Sequence, residues 1–130
     1  MSGLSSIQMD KRPFKGKGAD EWLARLHRDY RKVVFEMEEL SEHSKCAAGN
    51  AWYVYLHHRK STGQRFLMWR SFGVKHVHLT WDSIQPTLGR MTRSQQDWFE
   101  DVNAAVRLLN AKEVVTRKAI RMAQELNIED

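Results

Sequence analysis

The segment AWYVYLHHRKSTGQRFLMWRS, which covers residues 51–71, contains aromatic rings, histidines and cations but no Asp or Glu. Aromatic rings can stack on unpaired nucleobases, and neighbouring guanidinium and ammonium groups can neutralise phosphates, so a nucleic-acid-binding surface uses both residue types together. We therefore interpret this segment as a candidate nucleic-acid interface. Its candidate contact residues are Tyr53, Tyr55, His57, Arg59, Lys60, Arg65 and Arg70.

The distribution of charge along the chain favours the same interpretation. The 130 residues carry a formal net charge of +5, yet residues 43–81 alone contain six Lys and Arg residues and no acidic residue. A packed domain usually scatters both signs of charge, so a long segment of one sign favours a polyanionic partner. The N-terminal sequence KRPFKGKG is a second basic stretch, in which Lys15 and Lys17 are further candidate phosphate contacts.

The aromatic residues of residues 51–71 also fit a second interpretation. A domain of this size can cover both faces of a small sheet, and rings such as Tyr55 would then be packed beneath a helix as part of the core. Exposure of these rings distinguishes a stacking surface from ordinary packing. The sequence leaves both interpretations open.

Metal binding and catalysis have less support in the sequence. His57, His58, His76 and His78 include an H-x-H pair, but no Asp, Glu or second Cys lies in the same segment to complete a zinc site. The single cysteine, Cys46, cannot form an internal disulfide. The chain contains no G-x-S-x-G sequence and no glycine-rich phosphate loop followed by Lys-Ser/Thr. We expect no metal, no cofactor and no enzymatic activity.

The elements that position these residues follow from hydrophobic periodicity. Apolar residues recur at spacings of three and four from about residue 19 to residue 40, which predicts an amphipathic helix. The sequence SEHSKCAAGN, residues 41–50, then predicts a loop. We assign residues 1–18 to a flexible basic arm and residues 19–130 to a single domain.

From residue 51 the apolar period changes to two, which predicts a β-hairpin with two distinct faces. The turn KSTGQR is expected to close the hairpin by pairing Lys60 with Arg65. A short third strand is expected at residues 75–79, because the sequence VKHVHL is rich in β-branched and aromatic-like residues. The predicted neighbours on the apolar face are Val54, Leu56, Leu67 and Trp69.

Two helices are predicted after the sheet. Thr80 is expected to cap a short helix that begins at Trp81, and Ser94 is expected to cap a long helix of about thirty residues, roughly 45 to 50 Å at the helical rise. The predicted fold class is therefore α+β, with an N-terminal helix, an antiparallel β-hairpin extended by a candidate third strand, and a short and a long C-terminal helix packed on the sheet. The predicted apolar stripe of the long helix is Trp98, Val102, Ala105, Leu109, Val115, Ala119, Met122 and Leu126.

Apolar runs in the chain are short. None approaches the roughly 20 residues that cross a bilayer, and the N-terminal sequence MSGLSSIQMDKRPFKGKG lacks the apolar core of a signal peptide. We expect a cytoplasmic protein that does not interact with membranes.

Two stretches, RPFKGKGADEWLARLHRD and RFLMWRS, together with the long C-terminal helical segment, resemble an uncharacterised family of small accessory proteins encoded on integrative and conjugative elements of Gram-negative bacteria. The resemblance does not include the segment between Ser71 and Trp81. It implies no assigned reaction and no catalytic residues. It does imply a cytoplasmic accessory protein of a mobile genetic element, with single-stranded DNA and its binding proteins as neighbours.

We therefore expect a non-enzymatic DNA-binding accessory protein that contacts single-stranded or duplex DNA through its basic aromatic hairpin. The alternative is a protein-interaction module. In that case the same surface would bind an acidic peptide, such as the tail of a single-stranded-DNA-binding protein, or the long helix would form a homodimer.

Overall fold

A computed structural model describes residues 17–46, 51–73 and 77–129 and confirms the predicted α+β fold. Residues 1–16 of the predicted arm lie outside the described residues, and Lys17 already begins the first helix. The elements in chain order are α1 (Lys17–Cys46), β1 (Trp52–Arg59), β2 (Gln64–Ser71), β3 (His78–Leu79), α2 (Trp81–Leu88) and α3 (Arg93–Glu129).

The long helices α1 and α3 lie side by side and run in opposite directions. Tyr30 in the middle of α1 contacts Glu113 in α3, whereas His43 near the end of α1 meets Trp98 near the start of α3. The antiparallel sheet, with strand order β1-β2-β3, packs its apolar face on this helical pair. The large apolar side chains at the centre of the core, each no more than 1% exposed, are Met37, Val54, Ile84 and Phe99.

The β-hairpin closes with a different residue pair from the predicted one. The last pair of the ladder is Arg59 with Gln64, so the predicted pairing of Lys60 with Arg65 is wrong. The Gly63 amide donates to the Arg59 carbonyl at 2.9 Å, and Gly63 has a φ of 76°, a left-handed conformation that favours glycine. The register differs by an even number of residues, so the composition of each face is unchanged. As predicted, Val54, Leu56, Leu67 and Trp69 are neighbours on the apolar face, where the observed register pairs Leu56 with Leu67 and Val54 with Trp69.

The predicted loop at residues 41–50 is wrong for its first six residues, because α1 continues to Cys46. In its last turns this helix contacts the edge of β1 through polar side chains. The Ser41 hydroxyl donates to the Val54 carbonyl at 2.7 Å, and the Val54 amide donates to Ser44 Oγ at 2.9 Å. Two buried serines therefore satisfy backbone groups at this edge, where the apolar periodicity used to predict the helix has already stopped.

The opposite edge of the sheet is closed by α3. Of the third strand predicted at residues 75–79, the first two residues lie outside the described residues and only the last two pair with β2. Asn110 occupies the edge further along β2. The Leu67 amide donates to Asn110 Oδ1 at 2.7 Å, and Asn110 Nδ2 donates to the Leu67 carbonyl at 3.0 Å. A side-chain amide carries the same donor and acceptor as a peptide group, so Asn110 substitutes for a strand neighbour.

The C-terminal helices begin at threonine caps. At the start of α2, the Ser83 amide donates to the Thr80 hydroxyl at 3.2 Å, as predicted. The cap of α3 is Thr92 rather than Ser94, because the Gln95 amide donates to Thr92 Oγ1 at 3.2 Å and the Gln95 side chain accepts from the Thr92 amide at 3.0 Å.

Within the part of the chain that the structure describes, no helix is both long and apolar enough to cross a membrane.

The buried face of α3 departs from the predicted stripe in its second half. The buried positions continue from Leu109 to Glu113, whereas Val115, Met122 and Leu126 are 67%, 60% and 49% exposed. The prediction followed apolar residue types, so it left the buried face at Glu113, where a carboxylate occupies the next buried position. The buried positions of the first half are Phe99, Val102, Val106 and Leu109.

We expect Asn110 to contribute strongly to stability through its two bonds to β2. Asn110→Ala leaves the N–H and C=O of Leu67 without partners, and each unsatisfied buried group costs about 1–3 kcal/mol, so the free energy of unfolding should fall by about 2–6 kcal/mol. Asn103→Ala is the matched control, because Asn103 accepts one bond, from the Trp69 indole N–H at 3.0 Å. Urea unfolding measures both variants. If the two variants lost the same free energy of unfolding, Asn110 would not act as a replacement for a strand neighbour.

Candidate nucleic-acid interface

The sheet has an inner face toward the helices and an outer face on the opposite side. The inner face supplies Trp52, Val54, Leu67 and Trp69 to the core cluster, whereas no described residue of the outer face belongs to that cluster. Side chains alternate between the faces along each strand, so the register defines the outer face. It consists of Tyr53, Tyr55, His57 and Arg59 from β1, Gln64, Phe66, Met68 and Arg70 from β2, and His78 from β3.

The rings of the outer face form one connected cluster across the three strands. Tyr55 stacks with His78 at a centroid distance of 6.4 Å, and His57 lies 4.9 Å from Phe66. His57 also lies 6.3 Å from Tyr55 and 6.5 Å from His78. These four rings are half-buried or exposed, so they keep surface available to a ligand.

Each cation near the outer face lies over a ring. The guanidinium carbon of Arg70 is 4.1 Å from the centroid of Tyr55, and that of Arg59 is 5.4 Å from Phe66. Lys45, at the end of α1, lies 5.7 Å from the centroid of Tyr53. Cation–π attraction therefore organises this surface, and the strand residues that carry it include no Asp or Glu to neutralise the positive charge.

Arg70 has a hydrogen-bond donor that is not satisfied. Its Nε is buried and has no hydrogen-bond partner within residues 17–46, 51–73 and 77–129, although buried donors in proteins are nearly always paired. The ring of Tyr55 contacts the face of the guanidinium but offers no acceptor in its plane. Arg70 therefore carries a charge and donor capacity that the described part of the protein does not use.

Acidic residues of α1 border the outer face at its β1 edge. A pocket of about 170 Å³ lies there, lined by Tyr55 together with Glu38 and Glu42. Lys45 forms an ion pair with Glu42 at 3.1 Å. This surface pair offsets the opposite charges of Lys45 and Glu42 in part, and Glu38 leaves this edge with a negative balance.

The structure brings five predicted contact residues to one surface but buries one of them. Tyr53 is 5% exposed and packs against Phe72 at 4.6 Å, so its ring has little surface left for a base. Tyr55 and His57 are half-buried, and Arg59 at the end of β1 is exposed. Packing and exposure, the two interpretations left open by the sequence, thus both occur on the outer face.

The remaining predicted cations have different positions. Lys60 is exposed in the hairpin turn, beside Arg59. Lys15 lies outside the described residues, and Lys17 is the first residue of α1. Arg65 follows the parity of Leu67 and therefore lies on the inner side of the sheet, away from the outer-face rings.

Near Arg65, the inner side contains a buried polar cluster that the sequence analysis did not identify. Glu113 is fully buried and accepts from the Tyr30 hydroxyl at 2.7 Å, from the Arg65 amide at 2.9 Å and from Arg117 Nε at 3.2 Å. The cluster joins α1, β2 and α3. The sequence did contain one signal of this cluster, because the carboxylate of Glu113 occurs at the helical spacing of the buried positions of α3. All the bonds of Glu113 are internal, so we interpret the cluster as structural.

The cluster changes the acidity of the Tyr30 phenol. Burial raises the pKa of Tyr30 to about 12, and the hydrogen bond to Glu113 and the negative charge of Glu113 act in the same direction. The charges of Arg65 and Arg117 oppose this effect. The neutral phenol is therefore the form that the fold favours.

The histidines do not assemble a metal site within the described residues. His57 and His78 face each other at a ring-centroid distance of 6.5 Å, but the described ranges contain no group of three or more His, Cys, Asp or Glu side chains that could hold a metal ion. His58 has the opposite parity to His57, and His76 lies outside the described residues.

No family model, curated protein or solved structure matches this chain. What the outer face binds must therefore be inferred from its own residues.

Tyr30→Phe is expected to reveal the raised pKa as a pH dependence of stability. The folded-state pKa of Tyr30, about 12, exceeds the ordinary value of 10.0. The contribution of Tyr30 to the free energy of unfolding is therefore complete below the ordinary pKa and is lost as the pH rises through the folded-state pKa. Below that window the variant should be less stable by about 1.5–3 kcal/mol, since a bond to a carboxylate is lost.

The measurement is urea unfolding of both proteins at steps from pH ~8 to ~12. The difference between wild type and Tyr30→Phe should narrow across the upper half of this range. A difference that stays constant with pH would show that Tyr30 does not titrate with the raised pKa.

Proposed function

We propose that this protein is a non-enzymatic accessory protein that binds single-stranded DNA on the outer face of its sheet. The observation that carries the proposal is the state of Arg70. Its half-buried guanidinium is stacked on Tyr55, its Nε has no hydrogen-bond partner among the described residues, and its strands contain no acidic residue. An arginine that has no carboxylate partner is available to bind an external anion, and the oxygens of a phosphate match the geometry of a guanidinium group.

The arrangement of rings favours a single strand over a duplex. Bases in a duplex are stacked on each other, whereas an unpaired base can place its π-face on an aromatic side chain. His57, Phe66 and His78 are half-buried or exposed on an open sheet face, which is the arrangement that sheet-based nucleic-acid-binding domains use to stack two or three bases. From Tyr53 to Arg59 the strand extends roughly 20 Å, enough for a contact of that size.

The charges define a path for the phosphates. Arg59 and Lys60 are exposed at the hairpin turn, Arg70 lies at the other end of the strands, and Glu38 and Glu42 border the β1 edge. Repulsion by the carboxylates and attraction by the arginines together favour a strand that runs along the hairpin, on the β2 side of the outer face.

The biological context in this proposal comes from the resemblance to accessory proteins of integrative and conjugative elements. Single-stranded DNA is a neighbour of such proteins in the cytoplasm, which favours DNA over RNA as the polymer. An acidic peptide, such as the tail of a single-stranded-DNA-binding protein, carries the same charge without the bases. The two ligands are therefore separated by whether binding depends on the rings.

The salt dependence of DNA binding should report the number of phosphates contacted. With Arg59, Lys60 and Arg70 in contact, the plot of log K against log salt for a labelled single strand should have a slope of about −2, at ~0.7 per phosphate. If Lys15 and Lys17 also contact phosphates, the slope should steepen to about −3.5, and the Lys15→Gln/Lys17→Gln variant should return it to about −2. Absence of binding at ~50 mM salt would rule out the proposal.

Arg70→Met should separate binding from folding. The substitution keeps an unbranched apolar side chain over Tyr55 and removes the charge with its unpartnered donor, so the free energy of unfolding should stay level or rise. Affinity for a single strand should fall, and the salt slope should become shallower by about 0.7. Arg90→Gln, an exposed cation outside the sheet, is the control and should leave both unchanged. A loss of stability with unaltered affinity would identify Arg70 as a packing residue.

Phe66→Leu tests stacking with little change in volume. Loss of one stacked base costs ~1–3 kcal/mol, about 5- to 150-fold in affinity for a single strand. The salt slope should not change, because no cation is removed. An acidic peptide ligand would instead bind through the cations and lose little affinity in this variant. Unaltered affinity of Phe66→Leu for a single strand would contradict base stacking and favour the protein-interaction module.

A further inference from the structure

The second half of α3 exposes a row of large apolar side chains, here called the α3 stripe. Leu108, Val115 and Met122 recur every seven residues and are 56%, 67% and 60% exposed, and Leu126 continues the row at 49%. The stripe extends about 27 Å along the helix at ~1.5 Å per residue. A surface that exposes single apolar residues is ordinary, but a continuous row of this length is typical of an interaction site.

The stripe lies outside the core that the described residues form. The buried face of α3 is formed by Phe99, Val106 and Glu113, and at ~100° per residue Leu108 and Val115 lie on the opposite side of the helix. The sheet and α1 both pack on the buried face. The stripe therefore points away from every described element of the chain.

The spacing indicates that the ligand of the stripe is another helix. A strict repeat of seven residues keeps a row of side chains facing a partner helix when two helices coil around each other. Exposed Ala104 and Ala111 flank the large side chains, and their small size allows a second backbone to approach closely.

We propose that the α3 stripe is the interface of a homodimer in which the two α3 helices pack antiparallel about Val115. In this register Leu108 packs against the partner's Met122 and Val115 packs against its own copy. The stripe is thus complementary to itself. A parallel pairing would instead bring Lys118 and Glu125, which occupy the intervening heptad positions, against their own copies, and like charges at these positions oppose association.

Charges beside the stripe favour the same orientation. Arg107 and Glu125 are exposed and lie eighteen residues apart, which is five helical turns, so they lie on the same flank of the stripe. In an antiparallel pair related by a two-fold axis, a flank faces the same flank of the partner. With the axis near Val115, Arg107 faces the partner's Glu125, and the symmetry repeats this pair at the other end.

The dimer is expected to be of moderate affinity. One helix from each chain forms a small interface, near the lower end of the ~1,200–2,000 Å² found for stable complexes, which corresponds to association in the micromolar range. The outer face of the sheet is not used, so dimerisation and DNA binding are independent properties.

Sedimentation of the full chain over a concentration series up to about 200 µM tests the proposal, because a micromolar dimer is largely formed at that concentration. Wild type is expected to shift from monomer to dimer. Val115→Lys places two ammonium groups at the two-fold axis and should raise the dissociation constant at least about 10-fold. The matched control is Gln124→Lys, which adds the same charge at an exposed position of the same helix outside the stripe, and it should leave the constant unchanged.

A charge exchange tests the orientation. Arg107→Glu and Glu125→Arg should each weaken the dimer by about 3- to 10-fold, since each disrupts two symmetry-related pairs. The double variant restores opposite charges and should return the constant to within about 2-fold of wild type. A wild-type chain that remains monomeric throughout the series would overturn the proposal and leave the stripe to a different protein. A dimer that is insensitive to Val115→Lys, or a double variant without rescue, would also overturn it.

Discussion

Most of this architecture follows from one constraint, which is that buried backbone groups at the edges of a small sheet must find hydrogen-bond partners. On one side Ser41 and Ser44 of α1 bind the N–H and C=O of Val54, and on the other Asn110 binds the same two groups of Leu67. Apolar packing alone would let a helix slide along the sheet at modest cost. These bonds have fixed positions, so they set where each long helix crosses the strands and, through that, how α1 and α3 meet.

The same constraint determines what is left for function. Both long helices are engaged by the inner face and the edges, so the outer face is left to its own rings and cations. Two arginines show the difference between the sides. Arg117 is half-buried and is paired with a carboxylate, Glu113, that is itself fully bonded, whereas Arg70 is half-buried with a ring as its neighbour and a donor unused. The first arrangement is complete within the chain, and the second is the one on which the proposed binding of DNA rests.

The sequence predicted the parts of the fold that have a periodic signature. The two faces of the hairpin, the inward position of Trp69 and the two C-terminal helices all follow from apolar spacing or a cap. The end of α1 and the continuation of the buried face at Glu113 could not be predicted in this way, because serine and glutamate are buried there by a strand edge that exists only in the folded chain. In the site, the alternation of side chains along the strands was enough to place Tyr55 and Arg70 on one face and would have moved Arg65 to the other, but the burial of Tyr53 required the packed structure.

The edge closed by Asn110 has a consequence for synthesis of the chain. Asn110 follows Leu67 by 43 residues, so the hairpin emerges from the ribosome well before the side chain that satisfies it. During that interval β2, a strand with the large apolar side chains Phe66, Leu67, Met68 and Trp69, presents an open edge, the kind of surface on which nascent chains pair with one another. Efficient production of this protein should therefore depend on how quickly its last helix is completed, and a pause in translation after the hairpin is the point at which the chain is most exposed to misassembly.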